Sequence, residues 1–271
     1  MSQYIDMPRL GLGTWRLEGQ QASDTVAQAI QLGYRHIDTA TRYENEAAVG
    51  IGLQQSGVAR KELFVTTKIW YDQLAPEAMR RSAAASLEKL QLDMVDLLLI
   101  HWPNPDPAWN MAASLETLAE IKQQGWAKHI GVANFPVALL QQAWGIIGEE
   151  LKVNQVEYHF ALQQQALLEF TQSHNMLLTA YSPLARGDFN DNPVLQAIAT
   201  KHGANVGQIA LAWLLRQDGV AAIPKASSVA HLQSNLQAAA IALDGDDLAQ
   251  LQAIPKDQRL INPDFAPQWD A

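Results

Sequence analysis

Cysteine is absent from this 271-residue chain. That excludes disulfides, thiolate nucleophiles and cysteine-ligated metals, and no metal site is expected. No apolar run approaches the roughly 20 residues that a membrane-spanning helix needs, so no membrane partner is expected. The opening stretch MSQYIDMPRLGLGTW lacks a basic segment followed by an apolar one, the mark of a secretory signal. Basic residues are in the minority: 19 Lys and Arg stand against 28 Asp and Glu, a net charge of −9. Such a balance repels phosphodiester backbones and argues against a nucleic-acid partner. Linkers rich in Pro, Gly or Ser, low-complexity tracts and close repeats are missing too. The expectation is a cytoplasmic protein forming one domain over residues 1–271.

What is present is a series of short apolar runs separated by segments of helical spacing. The runs are 10–14, 35–38, 63–68, 94–101, 129–132, 153–156, 177–181 and 220–223. Near-continuous apolar strands suggest burial on both faces, as in parallel sheets. Pro76 suits the first turn of a helix whose Met79, Ala83, Leu87 and Leu90 share a face. Val206, Ile209, Ala210, Trp213 and Leu214 mark another, while Gly33 and Gly125 suit helix C-termini. Strand then helix, eight times in this length, points to an α/β fold closed as a single (β/α)8 TIM barrel.

Polar residues close several of these strands. Asp38, Lys68 and His101 end three successive runs, and in a barrel such ends converge on one axis. A strand meeting solvent explains any one of them; three in succession suggest a site. Tyr43 follows Asp38 by five residues. A carbonyl that accepts hydride develops negative charge on oxygen and needs a proton donor and electrostatic support. A free tyrosine, with a pKa of about 10, is a weak acid near neutrality. A lysine ammonium nearby is expected to lower it, with a carboxylate holding the lysine. His101 could donate to the same oxygen.

The wider motifs are Gly11-Leu12-Gly13-Thr14-Trp15, Ile37-Asp38-Thr39-Ala40 with Tyr43 and Asn45-Glu46, Thr67-Lys68 and Leu99-Ile100-His101-Trp102-Pro103. Further along stand Gly131-Val132-Ala133-Asn134-Phe135, Asn154-Gln155-Val156-Glu157-Tyr158-His159, Tyr181-Ser182-Pro183-Leu184 and Ile223-Pro224-Lys225. In this order they resemble the aldo-keto reductase family over nearly the whole chain, most of all bacterial 2,5-diketo-D-gluconate reductases of the B type. The resemblance implies reduction of small aldehydes and ketones, such as 2,5-diketo-D-gluconate or methylglyoxal, by a monomer using NADPH, with NADH as the alternative. It implies that Tyr43 is the general acid, Asp38 and Lys68 its tuning pair, and His101 the group that orients the carbonyl. Asn134 and Gln155 would bind the nicotinamide carboxamide, Tyr181 would stack on the ring, and Ser182 and Leu184 would lie along the pyrophosphate. Lys225, Ser227 and Ser228 would surround a 2′-phosphate, with His231 and Asn235 at the adenine. Three positions depart from the family pattern. His231 stands where NADPH-preferring members commonly have arginine, Ala133 where serine is usual, and Phe160 where proline is common.

Eight tryptophans are many for this length. Trp126, Trp144 and Trp213 read as core residues. Trp15, Trp70 and Trp102 follow strands at the presumed catalytic end and would line the substrate pocket with His101, with Trp269 of the tail a further candidate. The short 102–110 loop and the short tail suggest an open pocket for small, oxygen-rich carbonyls. Two other readings stay open. A proton-transfer isomerase could use Lys and His at strand ends, although Asn134, Gln155 and Tyr181 would then have no task. Some relatives in the superfamily are non-enzymatic regulatory subunits that retain nucleotide binding.

Overall fold

The computed structural model describes residues 3–270. Its eight strands are β1 (Leu12–Gly13), β2 (His36–Asp38), β3 (Phe64–Ile69), β4 (Val95–Ile100), β5 (Ala127–Ala133), β6 (Leu151–Glu157), β7 (Leu177–Tyr181) and β8 (Val220–Ala222). They form one parallel sheet in chain order. Each apolar run named above supplies one strand. The first and last are shorter than their runs, because regular pairing stops where the chain turns into loops. Every residue of β3 and β4 is buried, which is why these runs are apolar without alternation.

Helices connect the strands: α1 (Gly19–Leu32), α2 (Glu46–Gln55), α3 (Pro76–Leu90), α4 (Met111–Gln123), α5 (Val137–Ile147) and α6 (Gln165–Ser173). Between β7 and β8 come α7 (Pro193–Lys201) and α8 (Val206–Leu215); α9 (Val229–Gln237) and α10 (Gly245–Gln252) follow β8. Pro76 occupies the first turn of α3, and Gly33 ends α1 with φ 119°, a conformation costly for a side chain bearing Cβ. Gly125 follows α4 with φ 82°. Among the described residues, no helix is long and apolar enough to cross a membrane.

The sheet curls. On its concave face Phe64, Leu97, Leu99, Val153, Leu177 and Ala221, from five different strands, share one buried cluster with Met7. The opposite face packs under the helices through Leu12, Ile37, Val65, Ile100, Val132 and Val156. A smaller cluster around Phe160, Phe189 and Ile209 sits beneath the C-terminal third. Phe160 stacks on Trp213 at 4.8 Å, which gives the residue at this departure a packing role. Leu10 bridges Ala222 and Gly13 bridges Lys225, both in the parallel sense. At Gly13 a Cβ would lie 2.6 Å from the Ile223 carbonyl oxygen, so only glycine permits this approach.

Candidate active site

The C-terminal ends of the strands surround a cleft of about 940 Å³. Its floor begins with β2 and β3. Gly13 pairs with Asp38, and Asp38 with Thr66, so Lys68 lies one pleat beyond the carboxylate. After Asp38 the chain makes a short 3-10 turn, Thr41–Tyr43, which Glu44 ends at φ 57°. Asn45 pins that turn from below. Its amide donates to the carbonyls of Thr14 and Leu17, and its oxygen accepts from the Thr39 hydroxyl. Thr41 Oγ1 bonds the Lys68 carbonyl at 3.0 Å. These local bonds place Tyr43 over Lys68, although the two are separated by 25 residues.

Lys68 Nζ donates to Asp38 Oδ1 at 2.6 Å, to the Thr39 carbonyl at 2.8 Å and to Tyr43 Oη at 3.4 Å. Lys68 and Asp38 are fully buried. A lone ion there would be expensive; the pair persists because each charge is neutralised and hydrogen-bonded. Gln155 Nε2 donates to the second carboxylate oxygen of Asp38 at 2.8 Å. Burial lowers the Lys68 pKa, against the upward pull of Asp38.

His101 completes the group. Its ring centroid is 5.7 Å from that of Tyr43, edge to face, and 5.0 Å from that of Trp70. Burial first, then the charges of Lys68 and Arg42, push its pKa well below the ordinary histidine value. The imidazole is therefore neutral and carries one N–H. Its buried Nδ1 meets no hydrogen-bond partner among the described residues.

Tyr43 departs from expectation. Its pKa is raised well above the ordinary tyrosine value, not lowered. Burial is the main cause, followed by the negative charge of Asp38 and the influence of Tyr181. The ammonium expected to favour the phenolate lies nearer to Asp38, which offsets it. At neutral pH Tyr43 keeps its proton.

Further round the rim, Asn134 sits at φ 63° just after β5. Its Nδ2 donates to the His101 carbonyl at 2.9 Å, and its Oδ1 accepts from the Tyr181 hydroxyl at 2.8 Å. An amide group has two N–H bonds and two lone pairs, so one of each remains for a ligand. Asn134, Gln155, Tyr181, Ser182, Leu184 and Lys225 all line the cleft. Ser182 has φ 47° and Arg186 φ 57°, so the 182–187 turn holds an uncommon backbone. Ser227, Ser228 and His231 are exposed beyond the lining. Ser228 caps α9, its Oγ accepting from the His231 amide at 3.3 Å. Asn235 is buried beside the Tyr34 hydroxyl.

Trp15, Trp70 and Trp102 line the cleft as expected. Trp126, Trp144 and Trp213 pack against the core. Trp269 instead lies 5.9 Å from Trp102 and beneath the Arg259 guanidinium at 3.8 Å. The tail reaches the cleft through residues 260–263 and Phe265, whose ring packs on Tyr71 at 4.5 Å, Trp102 at 5.3 Å and Trp70 at 5.7 Å. Sequence reasoning missed this wall. It also missed Arg42, Arg186 and Gly207, the last at the N-terminal turn of α8.

Comparison with known proteins agrees with this geometry. Residues 9–256 match the model of the aldo/keto reductase family. The methylglyoxal reductase DkgB of Yersinia pestis is 41% identical over 98% of this chain and 100% of its own length. The glyoxal reductase of Bacillus subtilis is 41% identical over 96% of this chain and 94% of its own. A crystal structure of a candidate 2,5-diketo-D-gluconic acid reductase B superposes with a TM-score of 0.95 at 37% identity, covering 98% of this chain and 95% of that one. This chain is a member of the aldo/keto reductase family.

Proposed function

We propose that this chain reduces small aldehydes and ketones to alcohols with NADPH, taking 2-oxo carbonyls such as methylglyoxal and keto-sugar acids such as 2,5-diketo-D-gluconate. One observation carries the reading. Lys68 Nζ lies buried between Asp38 at 2.6 Å and Tyr43 Oη at 3.4 Å, at the foot of an open cleft. The names of the relatives support the carbonyl class.

When bound, the nicotinamide supplies hydride to the carbonyl carbon. This chain's residues do the rest. Neutral His101 donates its N–H to the carbonyl oxygen and fixes its direction. Tyr43 holds the proton that the oxygen will need. A raised pKa suits this role, because an alkoxide is a far stronger base than a phenolate and takes the proton even so. Lys68 then faces a phenolate and stabilises it, while Asp38 keeps Lys68 in place. The spare N–H and lone pair of Asn134, with the carbonyl oxygen of the Gln155 amide, fit a carboxamide. Tyr181 offers its ring, and Ser182 and Leu184 a path for a pyrophosphate. Lys225, with Ser227 and Ser228 at the start of α9, suits a 2′-phosphate, since a helix N-terminus adds its own positive field. Such a phosphate site favours NADPH over NADH, while His231 and Asn235 would lie toward the adenine, which both nucleotides carry.

We also read the sheet as a closed (β/α)8 barrel, the chain as one domain and the protein as a monomer. The Gly11 amide bonds the Ala222 carbonyl at 2.9 Å, the Gly13 amide that of Pro224 at 3.1 Å, and the Ala222 amide that of Arg9 at 2.8 Å, which supports closure.

The test follows nucleotide absorbance with methylglyoxal and 2,5-diketo-D-gluconate. Wild type is expected to oxidise NADPH faster than NADH. Tyr43→Phe is expected to lose at least about 100-fold in kcat while still binding NADPH. A Tyr43→Phe enzyme of near wild-type rate would overturn the assignment.

A further inference from the structure

We propose that Arg42 makes this cleft select carbonyl substrates that carry a carboxylate, 2-oxo acids and keto-aldonates among them. The proposal rests on the reductase reading above and names the substrate class of that same site.

Arg42 immediately precedes Tyr43 in the 3-10 turn and lines the cleft, its side chain 54% exposed. Its guanidinium lies over the Trp70 ring, 5.6 Å from the centroid, and Trp70 stands 5.0 Å from His101. A cation resting on an aromatic face is held in direction without being neutralised. Its field reaches the reacting region, since Arg42 is one of the charges that push His101 toward the neutral form.

The protein partner of Arg42 is weak. Glu44 Oε1 lies 3.7 Å away on a side chain that is 81% exposed. Exposed pairs of this kind contribute little and are readily exchanged. A substrate carboxylate entering the partly desolvated cleft can instead form a bidentate pair with the guanidinium fork.

The charge around the cleft points the same way. The protein carries a net charge of −9. Among the described residues lining the cleft, however, Arg16, Arg42, Arg186 and Lys225 are cationic, and the acidic residue is Asp38, which Lys68 neutralises. Arg186 and Lys225 stand after β7 and β8, beside the residues suited to nucleotide phosphates. Arg42 stands after β2, beside Trp15, Tyr43 and Trp70. Nucleotide phosphates would account for the first pair of cations, which leaves Arg16 and Arg42 on the side of β1 and β2; of these two, Arg42 is the one seated over Trp70, the ring 5.0 Å from His101.

The experiment compares kcat/KM for 4-formylbenzoate with that for its neutral methyl ester, using NADPH. The acid-to-ester ratio within one enzyme cancels losses from partial misfolding. In Arg42→Gln the ratio is expected to fall about tenfold, which is about 1.4 kcal/mol of transition-state binding. Arg42→Lys should recover part of it, and Arg42→Glu should lower it further. Arg81→Gln removes the same charge from an exposed position on α3 and is expected to leave the ratio as in wild type. A ratio in Arg42→Gln within threefold of wild type overturns the proposal. So does an equal fall in Arg81→Gln, which would mean that only the overall field matters. Failure of the underlying reductase reading looks different: neither aldehyde, nor methylglyoxal, would then be turned over with either nucleotide, and the proposal would fall with it.

Discussion

At the scale of single residues, position and electrostatics separate cleanly. That Asp38, Lys68 and His101 would converge was legible, because each ends an apolar run and parallel strands bring such ends together. The proton affinity of Tyr43 was not. Counting charges placed an ammonium beside it and predicted a lowered pKa; desolvation, which depends on every surrounding atom, wins and raises it. This has a measurable result. The Tyr43 pKa lies well above 10.0 and that of His101 well below 6.5. The phenol therefore stays protonated, and the imidazole neutral, across that whole interval. With saturating NADPH and a neutral carbonyl, kcat for reduction is expected to be flat from about pH 6.5 to about pH 9.5, as a pH–rate profile would show. A limb centred near neutrality would contradict the assignment of the proton donor.

At the scale of elements, strands and the principal helices follow from patterning, while the tail does not. Residues 254–270 have no regular periodicity, and a buried carboxylate more than a hundred residues earlier anchors the middle of the tail. Glu157, at the end of β6, accepts from the Leu260 amide at 2.7 Å, the Ile261 amide at 2.9 Å and His159 Nε2 at 2.9 Å. The Ala161 amide donates to His159 Nδ1, so the proton lies on Nε2 and the histidine donates to the carboxylate. Leu260, Ile261, Pro263 and Phe265 then wall the cleft. In Glu157→Gln one acceptor becomes an NH2 group, and a part-buried amide loses its partner at a cost of about 1 kcal/mol. The tail is expected to loosen: KM for methylglyoxal should rise severalfold with a smaller change in NADPH affinity, and limited proteolysis should cut near residues 258–268. An unchanged KM and an intact tail would show that aromatic packing by Phe265 suffices to hold it.

At the scale of the whole molecule, the curled sheet buries groups that the sequence presents as ordinary. His36, on β2, is fully buried, bonds Thr66 Oγ1 at 3.0 Å and packs edge-on to Phe64. Burial pushes its pKa from 6.5 down to about 4. Between these values the unfolded chain binds a proton that the folded chain refuses, so stability is complete above about pH 6.5 and falls as the pH drops toward 4. The loss from this group is about 3 kcal/mol at the low end of the window, at about 1.4 kcal/mol per pH unit. His129, pushed to about 4 mainly by burial, acts in the same direction. Thermal denaturation is expected to show Tm falling steadily from pH 6.5 to 4.5, with a shallower slope in His36→Leu. An equal slope in that variant would place the acid sensitivity elsewhere.

The sequence by itself determined the alternation of strand and helix, the parallel sheet, and the residues at the strand ends. These depend on local patterning, which a chain carries whatever its neighbours are. Only the tertiary structure decided that Lys68 is shared between Asp38 and Tyr43, that Tyr43 binds its proton more tightly than a free tyrosine, and that Phe265 rather than Trp269 closes the cleft. Those outcomes depend on distance and on the removal of water, and both arise only when segments far apart in the chain are packed together.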